Sequence, residues 1–194
     1  MITETLVSVE EYFDLLLKSN VKLEYNAGEI VAMAGGQPAH NLVAANLIVE
    51  LSNCLRKKGC IVLTSDQLIK VEGCEKYTFP DLVVVCQKPV YEKAPQGLDA
   101  LINPEIIVEV LSDSTEFYDR TEKFDCYKTI DSFREYVLVS SKKRRVEVHK
   151  KLNEAEWLSH VYGEKDEKVK IDNCDILLDN IYYGVVFAQP NATT

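Results

Sequence analysis

Two carboxylates inside apolar, β-prone runs are the residues of this sequence best suited to chemistry. Glu109 lies within Ile106–Leu111, where the remaining five residues are all apolar. Such a run predicts a buried strand. Asp81 lies in a second run of this kind, residues 79–86. Because a buried carboxylate is costly unless a cation neutralises it, each acid requires a lysine, an arginine or a metal ion nearby.

Two carboxylates on neighbouring strands suit a hard divalent cation. Mg²⁺ prefers oxygen ligands and often takes only one or two protein carboxylates. Hydrolysis at a phosphate also needs a positive group that orients water and offsets the growing negative charge. Lys123 meets this need, because we expect it in the first turn of the helix that follows the Glu109 strand. Helical side chains tilt toward the helix N-terminus, so this lysine should reach back toward the end of that strand.

The elements that must position these residues alternate between helices and strands. Ser8 and Glu11 form a capping-box pattern at the start of a predicted helix at 8–19. Apolar residues at helical spacing predict a second helix at 40–58, and Asp119 is the predicted cap of a third at 119–130. Strands or hairpins are predicted at residues 22–33, 61–64, 67–71, 79–86, 105–111, 135–140, 145–150, 156–162 and 169–171, with a loop at 87–103 and an apolar end at 176–187. This order predicts an α/β fold with a central mixed β-sheet flanked by helices.

Length and composition predict one domain, residues 1–194, because 46% of the residues are hydrophobic and can form a sizeable core. The net charge of −9 does not indicate nucleic-acid binding, which would need a local basic patch or ions at the site. The sequence shows no signal-peptide pattern and no apolar run near the ~20 residues of a membrane span. The six cysteines form no C-x-x-C pair, which favours reduced core thiols and a cytoplasmic protein.

The order of the candidate residues resembles the PD-(D/E)xK nuclease superfamily, with Pro80-Asp81, then Glu109 in a buried strand, then a lysine. The longer pattern, over about residues 8–185, resembles the Uma-type putative restriction endonuclease family. The matching positions are Leu23-Glu24-Tyr25, Gly28-Glu29, His40-Asn41, Pro80-Asp81-Leu82-Val83-Val84-Val85, Val108-Glu109-Val110-Leu111-Ser112, Ser114-Thr115, Asp119-Arg120, Lys123, Tyr127 and Glu135-Tyr136.

This resemblance implies a restriction-endonuclease-like fold and cleavage of DNA phosphodiester bonds with Mg²⁺ or Mn²⁺ as the cofactor. It implies that Asp81, Glu109 and the main-chain carbonyl of Val110 bind the metal. The sequence departs from the superfamily's E-x-K motif, because Leu111 stands at the position of the lysine. The resemblance therefore assigns the lysine's role, on the water or the transition state, to Lys123.

Three further residues are candidates for supporting roles. Glu24 either stabilises the hairpin beside it or lies near the cleft, where the resemblance places it. His40 either opens the long helix as a polar residue or takes part in the site. Tyr127 lies one helical turn beyond Lys123 on the same face and either packs there or supports the lysine.

The acids also have structural interpretations that the sequence leaves open. Asp81 can be a strand-start residue after a proline, and Glu109 can form a buried ion pair with Lys123 or Arg120 without metal. The basic hairpin residues, 142–145 and 150–151, are either a solvated turn or a phosphate-contacting patch. The alternative function is a catalytically inactive nuclease fold that binds nucleic acid or protein. We also expect a homodimer, because two-fold pairing brings two sites to two DNA strands.

Overall fold

The computed structural model describes residues 6–33, 35–95, 98–113 and 115–187; Ser114 of the matching pattern lies outside them. The strands form two six-stranded sheets, here called sheet I and sheet II, and one two-stranded hairpin. This mixed α/β architecture confirms the predicted fold class. Within the described ranges, no helix combines the length and apolar character needed to cross a membrane.

Sheet I carries the two acid-bearing segments at its centre. Its strands are β3 (Ile61–Thr64), β6 (Leu82–Val85), β9 (Ile106–Leu111), β10 (Glu135–Ser140), β11 (Val146–Lys151) and β12 (Trp157–Tyr162). Their order is β12-β11-β10-β9-β6-β3, with β9 parallel to β10 and antiparallel to β6. The strands β6, β9 and β10 are buried along their whole length, which explains why their sequences do not alternate and are apolar apart from Glu109, Glu135 and Ser140.

Sheet II is built largely from short strands in the first half of the chain. Its strands are β1 (Leu23–Asn26), β2 (Glu29–Ala32), β4 (Ile69–Val71), β5 (Lys76–Thr78), β7 (Tyr91–Lys93) and β8 (Asp99–Leu101). Their order is β2-β1-β5-β4-β8-β7. The predicted hairpin of β1 and β2 is present, and its turn holds Ala27 and Gly28 at positive φ angles of 46° and 98°, which glycine adopts without strain.

The helices cover the sheets from different sides. They are α1 (Val9–Lys18), α2 (Pro38–Leu55), α3 (Glu116–Tyr118), a π-helical turn (Asp119–Lys123), α4 (Phe124–Tyr127) and α5 (Leu178–Ile181), and the small hairpin is β13 (Lys168–Ile171) with β14 (Cys174–Leu177). The predicted capping box of Ser8 and Glu11 is present at the start of α1. Buried leucines of α2 pack with Val108 and Val110 in one core, while Ile107 and Leu111 pack with Tyr127 in a second core on the opposite face of sheet I.

Three predictions about elements are wrong. The predicted loop at 87–103 contains β7 and β8, which belong to a second large sheet beside the predicted mixed one. The third helix begins at Glu116, so Asp119 is a buried residue of its π turn and does not cap it. Lys123 consequently lies at the end of that turn, not in the first turn of the helix. The local sequence places a good cap pattern at Asp119, but in the fold this residue is buried, with its main-chain carbonyl bonded to Tyr136 of β10.

The expectation of reduced cysteines is also wrong. The structure pairs all six of them, as Cys54 with Cys174, Cys60 with Cys86, and Cys74 with Cys126. The partners are separated by 120, 26 and 52 residues, so no spacing in the sequence could reveal them. The third disulfide joins the turn before β5 to the helix that carries Lys123.

Candidate active site

Asp81 and Glu109 stand opposite each other on neighbouring strands of sheet I. Leu82 pairs with Val108 in the antiparallel register of β6 and β9. Asp81, one residue before Leu82, is therefore opposite Glu109, and directly opposed residues point to the same face of a sheet. The amide of Asp81 donates to Glu109 Oε2 at 3.4 Å, and the amide of Val110 donates to Asp81 Oδ2 at 2.7 Å.

Lys123 lies in the same buried cluster, with only 3% of the residue exposed. Its Nζ atom is 3.2 Å from Glu109 Oε1, 3.4 Å from Glu24 Oε1 and 3.4 Å from Asp119 Oδ1. One ammonium thus forms ion pairs with three carboxylates, which come from β1, β9 and the π turn. The contact with Glu109 matches the reach toward the β9 strand that the sequence predicts for this lysine.

A π-helical turn presents Lys123 to the sheet. Such turns widen the helix locally and are frequent at functional sites. Here the turn directs both Asp119 and Lys123 inward, where both are buried. The Tyr136 hydroxyl on β10 donates to the Asp119 main-chain carbonyl at 2.9 Å. This bond fastens the widened turn to sheet I.

Arg120 is not the partner of Glu109. Its guanidinium donates to the two carboxylate oxygens of Glu147 on β11 at 2.8 and 2.7 Å, and to Glu116 at 2.8 Å. Of the two structural ion pairs considered from the sequence, only the pair between Glu109 and Lys123 is therefore present. Arg120 instead anchors the π turn to β11, two strands away from Glu109 in sheet I.

Glu24 and Tyr127, two of the predicted supporting residues, also reach the cluster. The Tyr127 hydroxyl donates to Glu109 Oε1 at 3.0 Å. Glu24 Oε1 accepts hydrogen bonds from the Thr78 hydroxyl and from the amide of Phe79, the latter at 3.1 Å. Glu24 thereby connects sheet II to the segment that leads into Asp81, which combines the structural and the cleft roles left open by the sequence.

His40, the third supporting candidate, contacts the outer acid. It lies in the first turn of α2, and its Nε2 atom is 3.2 Å from Asp81 Oδ2. The hydrogen bond with Asp81 raises the pKa of His40, and it outweighs burial of the ring, which acts in the opposite direction. Asp81 Oδ2 is thus held from two sides, by this imidazole and by the Val110 amide.

Burial and mutual repulsion dominate the electrostatics of the cluster. Burial raises the pKa of Glu109 well above its ordinary value, and Asp119, Asp81 and Glu24 add to that rise while Lys123 opposes it. Burial alone would lower the pKa of Lys123, but its three carboxylate neighbours outweigh that effect and raise it. The lysine therefore stays charged. Four carboxylates face this single charge, so ionisation of Glu109 requires more positive charge than Lys123 alone supplies.

The predicted basic patch on the β10–β11 hairpin is largely neutralised by acids. Lys142 forms an ion pair with Asp113, and Arg145 lies 2.9 Å from Glu147. Arg144 is 2.6 Å from Asp179. These contacts favour the structural interpretation of the hairpin charges over a free surface for phosphates.

Sequence reasoning missed Asp119, Lys76 and Tyr118 as residues around the cluster. Asp119 could have been found from its spacing, because a residue four positions before Lys123 lies on the same helical face. Lys76 and Tyr118 carry no such signal: they meet only because β5 and α3 pack together, and the sequence predicts neither element.

Comparisons with known proteins agree with the resemblance. The model of the Uma2 family, described as a putative restriction endonuclease, matches residues 9–175. Two uncharacterized proteins of Synechocystis sp. (strain ATCC 27184 / PCC 6803 / Kazusa) are similar to this chain. The protein slr1290 is 34% identical over 182 residues, which cover 93% of this chain and 94% of slr1290. The protein sll1609 is 31% identical over 166 residues, covering 85% and 93%.

The fold is similar to that of a solved structure. A crystal structure of a putative nuclease belonging to DUF820 from Anabaena variabilis ATCC 29413 superimposes with a TM-score of 0.71. The two chains are 16% identical, and the match covers 91% of this chain and 97% of the other. At this identity the likeness concerns the fold alone.

Proposed function

Because the chain belongs to the Uma2 family of putative restriction endonucleases, we propose that it is a metal-dependent endonuclease that hydrolyses DNA phosphodiester bonds. The observation that carries the proposal is the convergence of Asp81, Glu109 and Lys123 on one buried cluster. These are three residues of the types that phosphodiester hydrolysis needs, and a functional role accounts for acids whose burial destabilises a fold.

The residues present fit a hard divalent cation. Glu109 Oε2 accepts only the long 3.4 Å contact from the Asp81 amide, and Asp81 Oδ1 makes no hydrogen bond to the described residues. A cation beside them would stabilise the ionised form of Glu109, whose pKa is raised by burial and by its acidic neighbours. The described ranges contain no group of three or more His, Cys, Asp or Glu side chains arranged as metal ligands. The ligand set proposed is therefore Asp81, Glu109 and the Val110 carbonyl, completed by water, as suits Mg²⁺ or Mn²⁺.

Each residue of the site then has a role that its contacts support. A bound cation would polarise the scissile phosphate and lower the pKa of a water molecule. Lys123 orients that water or offsets the charge that develops on the phosphate. Tyr127 fixes the orientation of the Glu109 carboxylate through its hydroxyl, and His40 does the same for Asp81.

Nicking of supercoiled plasmid tests this function. The wild type should convert the plasmid to open-circular and linear forms with Mg²⁺ or Mn²⁺ and not with EDTA. Asp81→Asn and Glu109→Gln should abolish cleavage, while Asp125→Asn should not, because its side chain is 76% exposed on α4. A wild type that binds plasmid without cutting it would instead establish the inactive nuclease fold. Equal cleavage by wild type and Asp81→Asn would contradict the assignment of the site.

A further inference from the structure

Lys76 is a second buried lysine near the proposed catalytic cluster. It lies on β5, where it pairs with Asn26 of β1, and only 2% of it is exposed. Side chains alternate along a strand, so Lys76 shares its face of sheet II with Thr78, which donates to Glu24 in the cluster. The ammonium of Lys76 is thus directed to the same side of the sheet as Glu24.

The partner of this ammonium is a tyrosine. Lys76 Nζ donates to the Tyr118 hydroxyl at 2.7 Å and lies 4.8 Å from the centre of its ring. Within the described part of the chain, no carboxylate lies at ion-pairing distance from it. Burying an ammonium without a counter-ion is unfavourable. A fold that retains such a lysine beside a proposed phosphodiesterase centre suggests an anion that arrives with the substrate.

Tyr118 lies close to both Lys76 and Lys123, and part of its side chain reaches the surface. Lys123 Nζ lies 5.7 Å from the centre of the same ring, so both ammonium groups are close to the tyrosine. Tyr118 is only partly buried. Burial raises its pKa to about 12, so the hydroxyl stays protonated. Its oxygen accepts from Lys76, and its own proton has no acceptor among the described residues.

We propose that Lys76 and Tyr118 form a phosphate-binding pair beside the catalytic cluster, in which the Tyr118 hydroxyl donates to a non-bridging oxygen of a DNA backbone phosphate. Lys76 supplies positive charge behind the hydroxyl and polarises it. The inference rests on the proposed nuclease function, because it takes the phosphodiester backbone as the ligand. It supplies the local positive site that a chain with a net charge of −9 requires for binding nucleic acid.

Binding of a fluorescent duplex oligonucleotide, measured by anisotropy over a salt series with Ca²⁺ in place of Mg²⁺, tests the pair. Tyr118→Phe should weaken binding about tenfold, as loss of one hydrogen bond to a charged group does, with the salt dependence unchanged. Lys76→Met should weaken binding and make the slope of log K against log salt shallower by up to ~0.9. The double variant should lose less binding free energy than the two single variants lose in sum, because the two residues act as a unit.

Controls separate this proposal from the nuclease function and from a structural role. Lys70→Met should bind like the wild type, because Lys70 on the neighbouring strand pairs with Glu92. If the wild type binds DNA and both variants match it, the pair is wrong while the nuclease proposal stands. If the wild type binds no DNA, both proposals fail. Lys76→Met should keep the melting temperature of the wild type, since no ion pair is broken. A large drop in the melting temperature of Lys76→Met, together with normal DNA binding by Tyr118→Phe, would show that the pair is structural.

Discussion

At the scale of single residues, the position of Lys123 is compatible with both of the roles that the sequence presents as alternatives. It is the ion-pair partner of Glu109, Glu24 and Asp119, and Glu109 is also one of the proposed metal ligands. A stabilising contact and a catalytic position are therefore compatible at this residue. Separate measurements of stability and cleavage are needed to assign each.

Lys123→Met should lower the free energy of unfolding by about 3–5 kcal/mol, because it leaves buried carboxylates without their cation. Urea denaturation at neutral pH in EDTA measures this cost. Lys128→Met is the matched control on the same helix, since its ion pair with Asp125 is exposed and should contribute about 0–1 kcal/mol.

The same variant should lose cleavage activity and yet bind divalent metal at least as tightly as the wild type. Both proposed carboxylate ligands remain, and a competing positive charge is gone. A Lys123→Met protein that is as stable and as active as the wild type would remove the lysine from both roles.

At the scale of elements, the π turn depends on its attachment to β11 through Arg120 and Glu147. Burial alone would raise the pKa of Glu147, but hydrogen bonds from Arg120 and Arg145 outweigh it and lower that pKa from 4.5 to about 2. A carboxylate with a lowered pKa in the folded state stabilises the protein at pH values above its ordinary pKa. That contribution is lost as the pH falls toward 2.

Glu147→Gln should therefore reduce stability by about 1–2 kcal/mol at pH 7, since hydrogen bonds to charged groups are lost at a partly solvated site. Between pH 4.5 and 2 the difference from the wild type should shrink toward zero. Urea unfolding of both proteins across this range measures it. Glu116→Gln, which removes only the i,i+4 partner of Arg120, should cost about 0.2–0.5 kcal/mol. A pH-independent difference would show that charge is not the cause.

The elements also show how far the sequence could predict this structure. Strands such as Leu82–Val85 and Ile106–Leu111 are predictable, because a fully buried strand is continuously apolar. The strands Tyr91–Lys93 and Asp99–Leu101 are not, because they are short and the first is fully exposed. The spacing of the acids predicts which strands carry them. It does not predict the π turn, which arises from contacts with β10 and β11, nor the meeting of Lys76 with Tyr118.

At the scale of the whole molecule, charge limits how the protein can bind DNA. The chain has a net charge of −9, and ion pairs occupy several basic residues of its most basic hairpin. Affinity for duplex DNA should therefore be weak for one copy, because few basic residues are free to contact phosphates. Two copies related by a two-fold axis would add their contacts and match the symmetry of the duplex.

We accordingly expect a homodimer. Light scattering coupled to gel filtration should give twice the mass of the chain at high protein concentration, with the fraction of dimer increasing when DNA and divalent metal are present. A mass of one chain under all these conditions would contradict the expected assembly and would leave a site that cuts one strand at a time.

Asp81 and Glu109 are the proposed ligands of a divalent cation, and calorimetric titration of Mn²⁺ into the protein tests this binding without depending on cleavage. The wild type should show one binding site per chain, and Asp81→Asn should weaken or abolish it while Asp125→Asn binds like the wild type. Tight binding should also raise the melting temperature of the wild type, because a ligand of the folded state stabilises it by mass action. No heat of binding to the wild type, or equal binding by Asp81→Asn, would contradict the account.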